Sequence, residues 1–209
     1  MPTKVGSSDF LMVGAFGFLL GFVAWLFWLL LTVSALLYVF LGYGYPNYMS
    51  GIYFQNWAYY LIFRSLLSLS LALESFGCFA LKQKYGSNLA FACGISFLAI
   101  SAVLTSSLII PISNVSFLLR FIYYNPAVLL NVGLLILGVT ILLIRKSLLT
   151  PRKALWIGLI FIIISVFTLT WFPMAILYWG FELWLMFFGW LYAINSIVTG
   201  WFMIQIRNA

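Results

Sequence analysis

Long apolar runs separated by short polar interruptions set the pattern of this chain, and the runs exceed what the core of a water-soluble domain uses. Phe10 to Phe40 carries no charge. At 1.5 Å per residue its length of about 31 residues makes a helix of roughly 46 Å, against roughly 20 residues for one bilayer crossing. A secretory leader has a much shorter apolar stretch, about 7–15 residues, before a small-residue cleavage site, so this run is expected to be retained. Ser7, Ser8 and Asp9 precede it with N-capping chemistry.

Five further runs follow, each with its own punctuation. Residues 57–81 end at Lys82 and Lys84, and residues 89–112 carry Pro111 near their end. Pro126 opens residues 126–144, which stop before Arg145 and Lys146. Pro151, Arg152 and Lys153 introduce residues 154–172, and Pro173 is expected to break the chain before residues 174–206. The pattern predicts an all-α, polytopic integral membrane protein: one domain over 1–209, a bundle of six transmembrane helices over 10–40, 57–81, 89–112, 126–144, 154–172 and 174–206.

Charge placement orients this path. Of ten Lys and Arg residues, Lys4, Lys82, Lys84, Arg145, Lys146, Arg152, Lys153 and Arg207 fall where alternate connections would lie. The bias of basic residues toward cytoplasmic loops puts these connections and both termini in the cytoplasm of a cell-membrane protein. Arg120 alone lies in an outer connection, and Arg64 sits inside the second span. Five or seven crossings would divide the basic clusters between the two sides. Composition agrees: 66% of residues are hydrophobic and 6% charged, where a soluble domain has roughly one-quarter charged. The formal charge of +7 sits beside apolar spans, where it meets anionic lipid headgroups; nucleic acid is not an expected partner.

Small residues predict where helices touch. Gly14, Gly17, Gly21 and Ala24 make one stripe on the first span, with a GxxxG at Gly17 and Gly21; Gly189, Ala193, Ser196 and Gly200 make another on the sixth. These seams are expected to be packed, on each other or against a partner or a second copy. The aromatic-rich first outer connection holds Tyr45, Tyr48, Tyr53, Gln55, Asn56 and Trp57. It reads as an interfacial belt, or as a surface for a lipid headgroup, a quinone or a partner protein.

Ionisable groups within the spans are the candidate chemistry. Arg64 and Glu182 lie at nearly matching depth below the outer ends of their spans, which predicts an intramembrane ion pair between the second and sixth helices. Glu74 lies about 15 Å from Arg64 along the same helix, too far to pair with it. It reads as a buried acid, with Ser96 and Asn195 at similar depth as candidate neighbours, bonded structurally or serving proton coupling. Cys78 and Cys93 are expected to be reduced, small core residues. Asn125, Pro126 and Ala127 read as a helix start, since Asn caps and Pro at the first helical position are both favoured.

The same inventory narrows function. With no histidine and only Asp9, Glu74 and Glu182 as acids, neither a catalytic site, a metal site nor a cofactor is expected. The expected role is a non-catalytic membrane subunit in a larger complex, in contact with lipid and with other subunits or its own copies. The alternative is a small-solute, ion or lipid transporter or channel whose polar route involves Arg64, Glu74 and Glu182, together with Ser68, Ser75, Ser101 and Thr105. An enzyme acting on lipid ranks last, because carboxylates at different depths make no acid and base pair.

Overall fold

The computed structural model describes residues 5–40, 57–109, 126–148, 151–178 and 181–207. These form six long helices: α1 (Val5–Phe40), α2 (Trp57–Tyr85), α3 (Asn88–Ile109), α4 (Pro126–Ile144), α5 (Pro151–Tyr178) and α6 (Phe181–Arg207). A 3-10 turn, Arg145–Ser147, follows α4, and no strand occurs among the described residues. The described stretches of α1 to α5 are long and apolar enough to cross a membrane.

Helix ends depart from the expected boundaries where the punctuation acts differently. α2 does not stop at Lys82 but runs on to Tyr85, because basic residues suit the last turn of a helix, where the carbonyl ends are exposed. Gly86 stops it, with φ of 73° and open space around its α-carbon. Its N–H bonds back to the Lys82 carbonyl at 2.8 Å, a left-handed termination that favours glycine. Ser87 then caps α3, its Oγ accepting from the Ala90 N–H at 3.3 Å. Pro126 opens α4 and Pro151 opens α5, each in the first helical position. Pro173 does not break α5, which passes through it to Tyr178, so that α6 begins at Phe181 and not at residue 174. A proline removes a single backbone donor, and helices in apolar bundles tolerate that loss.

The helices form a ring in sequence order. α1 packs between α2 and α6, α3 on α2, α4 on α3, and α5 on α4, with a thinner α5–α6 contact closing the circle. Backbones approach closely at glycines. A β-carbon on Gly14 would lie 2.3 Å from the Gly77 Cα, so α1 and α2 touch main chain to main chain. α4 and α5 do the same: a β-carbon on Gly138 would lie 2.9 Å from the Gly158 carbonyl oxygen. Such approaches give extensive van der Waals contact between main chains, the kind of packing that small residues permit between apolar helices.

Aromatic side chains fill the centre. Trp25 of α1 stacks on Tyr192 of α6 at 4.6 Å and meets Phe63 of α2 edge-on at 5.5 Å. Phe18 of α1 meets Phe97 of α3 edge-on at 6.4 Å. Pairs of this kind contribute about 0.5–1.5 kcal/mol beyond their buried area.

The outward faces are apolar stripes at helical spacing. Trp156, Ile160, Ile163 and Phe167 form one on α5, and Trp190, Ile194, Ile197 and Trp201 another on α6. Basic residues gather at one end of the bundle. Lys84 Nζ donates to the Ile206 carbonyl at 2.8 Å, Lys153 Nζ lies 5.0 Å over the Trp201 ring, and Arg207 reaches the Met12 sulfur at 3.9 Å. The starts of α1 and α5 therefore meet the ends of α2 and α6.

Candidate functional site: a polar belt across the bundle

α2 carries hydroxyls on two faces, and the two are used differently. Toward α3, Ser68 Oγ lies 2.6 Å from Thr105 Oγ1, 3.0 Å from the Ser101 carbonyl oxygen and 3.1 Å from Ser101 Oγ. Ser101 Oγ donates in return to the Ser68 carbonyl at 2.8 Å. These groups join two helices. Ser75 Oγ donates to the Ala72 carbonyl at 2.6 Å within its own helix. Ser68, Ser75, Ser101 and Thr105, expected along a transport route, are thus engaged in bonds between or within helices.

The opposite face of α2 presents Ser70 and Glu74, one turn apart. Ser70 Oγ donates to Glu74 Oε1 at 2.6 Å, and the glutamate is 4% exposed. Three polar groups converge over Gly21 of α1. A β-carbon there would lie 2.7 Å from Ser70 Oγ, 3.0 Å from Glu74 Oε1 and 3.4 Å from Ser196 Oγ of α6. Glycine is what lets the hydroxyls and the carboxyl of neighbouring helices meet across α1.

Beside this cluster lies a small interior cavity of about 10 Å³. Phe18, Trp25, Leu67, Leu71, Leu130, Leu134 and Phe161 form its apolar wall; Glu74, Tyr192, Asn195 and Ser196 supply the polar groups. Asn195 is 5% exposed, and its Nδ2 has no hydrogen-bond partner among the described residues. Farther along, Asn131 Nδ2 of α4 donates to the Tyr192 hydroxyl at 2.5 Å, with the Thr168 hydroxyl of α5 also bearing on that group. The polar groups form a transverse belt from α2 through α6 to α4 and α5.

Other expected sites fall as follows. Arg64 is buried, at 2% exposure. Glu182 lies on α6, but its side chain is outside the described residues, as is its expected pairing with Arg64. Tyr45, Tyr48, Tyr53, Gln55 and Asn56 lie outside them too, and Trp57 is described only as the first residue of α2. Gly14 and Gly17 of the α1 stripe face α2, where a β-carbon on Gly17 would lie 2.6 Å from the Glu74 backbone nitrogen. Ala24 is buried. On α6, Gly189 faces Leu29 and Trp25 of α1, Gly200 faces Ala15, Leu19 and Phe18, and Ala193 is buried. The two stripes come together at Gly21 and Ser196; Gly189 and Gly200 pack on other residues of α1.

Ser96 donates to the Ala92 carbonyl of its own helix at 2.9 Å and is not among the residues lining the cavity. Cys78 and Cys93 are free thiols, both fully buried, 3.5 Å apart. Among the described residues no three His, Cys, Asp or Glu side chains gather as a metal site.

Tyr192, Asn131, Thr168 and Ser70 are functional-site residues that the expected set does not include. Their signal is polar chemistry inside apolar runs, which becomes legible only once the packed faces are known. The arrangement can hold a very small polar species by hydrogen bonds; it aligns no nucleophile with a base. Neither a protein-family model, nor a curated protein, nor a solved structure matches the chain.

Proposed function

We propose that the chain is a non-catalytic, multi-pass subunit of a larger complex in the cell membrane, crossing it six times with both termini cytoplasmic. One observation carries this reading: the polar groups around Glu74, Asn195 and Tyr192 reach from helix to helix, and the space that Glu74, Tyr192, Asn195 and Ser196 line is about 10 Å³. Ligand and substrate pockets are typically about 300–1,000 Å³. A solute route would need polar groups stacked along the bundle axis around such a volume. The outward stripes of α5 and α6, with Trp156 at 65% exposure and Trp190 at 50%, offer apolar surface both to lipid and to the helices of other subunits. The gathering of Lys84, Lys153 and Arg207 at one end supports placing that end in the cytoplasm.

The reading is tested by extracting the protein in mild detergent and weighing the intact assembly by native mass spectrometry. Co-migration with other polypeptides in fixed ratio is the expected result. Purification as a lone chain that drives solute flux in liposomes would instead establish the transporter reading through Arg64, Glu74 and Glu182.

A further inference from the structure

We propose that the cavity beside Gly21 is a binding site for a single water molecule, held between the Glu74 carboxyl of α2 and the Asn195 amide of α6. Size sets the ligand first. A buried water needs about 10–15 Å³ of space for its centre and two to four polar partners, and this cavity has about 10 Å³ and four polar side chains in its lining. Anything larger than water is excluded by the surrounding rings and leucines.

Chemistry points the same way. Asn195 Nδ2 is a buried donor with no partner among the described residues, although its residue lines the cavity. Buried polar groups are rarely left in this state, because the lost hydration is not recovered. A water oxygen accepts from that amide, and the water's own hydrogens are then available to Glu74 and to Ser196, both at the same cavity. Gly21 lets Glu74 hold its place at the cavity, since a β-carbon there would press on Ser70 Oγ at 2.7 Å and on Glu74 Oε1 at 3.0 Å. The water adds a mid-depth bridge between α2 and α6, whose ends are already joined by Lys84 and the Ile206 carbonyl.

Infrared difference spectroscopy of the full chain in lipid nanodiscs, exchanged between ordinary and ¹⁸O water, tests this directly. The wild type should show one narrow, isotope-sensitive O–H band of an enclosed water. Asn195→Leu should abolish it while Asn195→Ser, which keeps a polar partner, retains it. Gly21→Ala should abolish it as well. Should these variants not fold, Glu74→Gln, close to the original in volume, shifts the band if the water touches residue 74. The proposal is overturned by a wild type with no such band, or by a band that none of the variants alters. It is equally overturned if sodium in place of choline, at constant ionic strength, raises the melting temperature of wild type but not of Asn195→Leu, since a cation then occupies the site.

Discussion

The two faces of α2 both carry buried oxygen atoms and resolve them in opposite ways. Toward α3, Ser68, Ser101 and Thr105 are joined hydroxyl to hydroxyl and hydroxyl to carbonyl. Toward α1 and α6, Ser70 serves Glu74 within one helix, while Asn195 brings a donor that no described side chain meets. The first face is a joint, complete in itself and specific for register, because sliding either helix by a residue would break every bond in it. The second surrounds a space. Polar residues buried among these apolar helices therefore do not form one class: a closed set fixes helices together, and an open set has capacity for something besides protein.

The largest effect should come from the contact that holds both faces in place. Gly77→Leu puts a branched side chain where the Gly14 backbone touches α2, and neither main chain can give way without moving its whole helix. Overpacking typically costs about 1–3 kcal/mol and more where the neighbour cannot move, so this variant should lose most of its folded protein. Size-exclusion chromatography after mild extraction measures that loss. A normal yield of wild-type-like particle would remove the basis for treating α1 and α2 as a rigid pair.

This contact also shows what the sequence discloses and what it withholds. Hydropathy and prolines anticipate six helical runs, and for α4 the bounds coincide, because a helix packed among apolar neighbours needs an uninterrupted apolar run. The small-residue stripe on α1 is equally legible. Its counterpart Gly77 is not, since a lone glycine in an apolar run has no pattern, and the Gly138–Gly158 approach was missed for the same reason. Pro173 misled because proline is a strong breaker in water and a weaker one in a packed apolar bundle. Glu74 was identifiable as a buried acid, but which neighbour it meets depends on helix rotation. Ser96 and Asn195 looked equivalent by depth, and only packing separates them.

A smaller effect distinguishes the α3 face. Ser68→Ala and Ser101→Ala each remove interhelical bonds, which in membrane proteins average about 0.6 kcal/mol and reach about 1.7 kcal/mol. Because the two residues bond reciprocally, the double variant should lose less than the two single losses added together, with a coupling of about 0.5–1.5 kcal/mol. Reversible unfolding from mixed micelles, run as a double-mutant cycle, gives the number. Additive losses would mean that the serines act separately and that the joint is not a unit.

The smallest effect is expected at Ser70, although its bond to Glu74, at 2.6 Å, is as short as any on the α3 face. Length is a poor guide here because the reference state matters. Helices unfolded in micelles remain helical, so a bond between positions 70 and 74 of one helix survives separation from the neighbours and cancels from the measured difference. Ser68 differs in that its partners lie on α3 and leave with it. Ser70→Ala should therefore change stability by less than about 0.5 kcal/mol, below the interhelical average, in the same micelle assay. A loss equal to that of Ser68→Ala would show that the Ser70 hydroxyl acts across to α1 or α6, and the two faces of α2 would then differ in their residues but not in how they hold the bundle together.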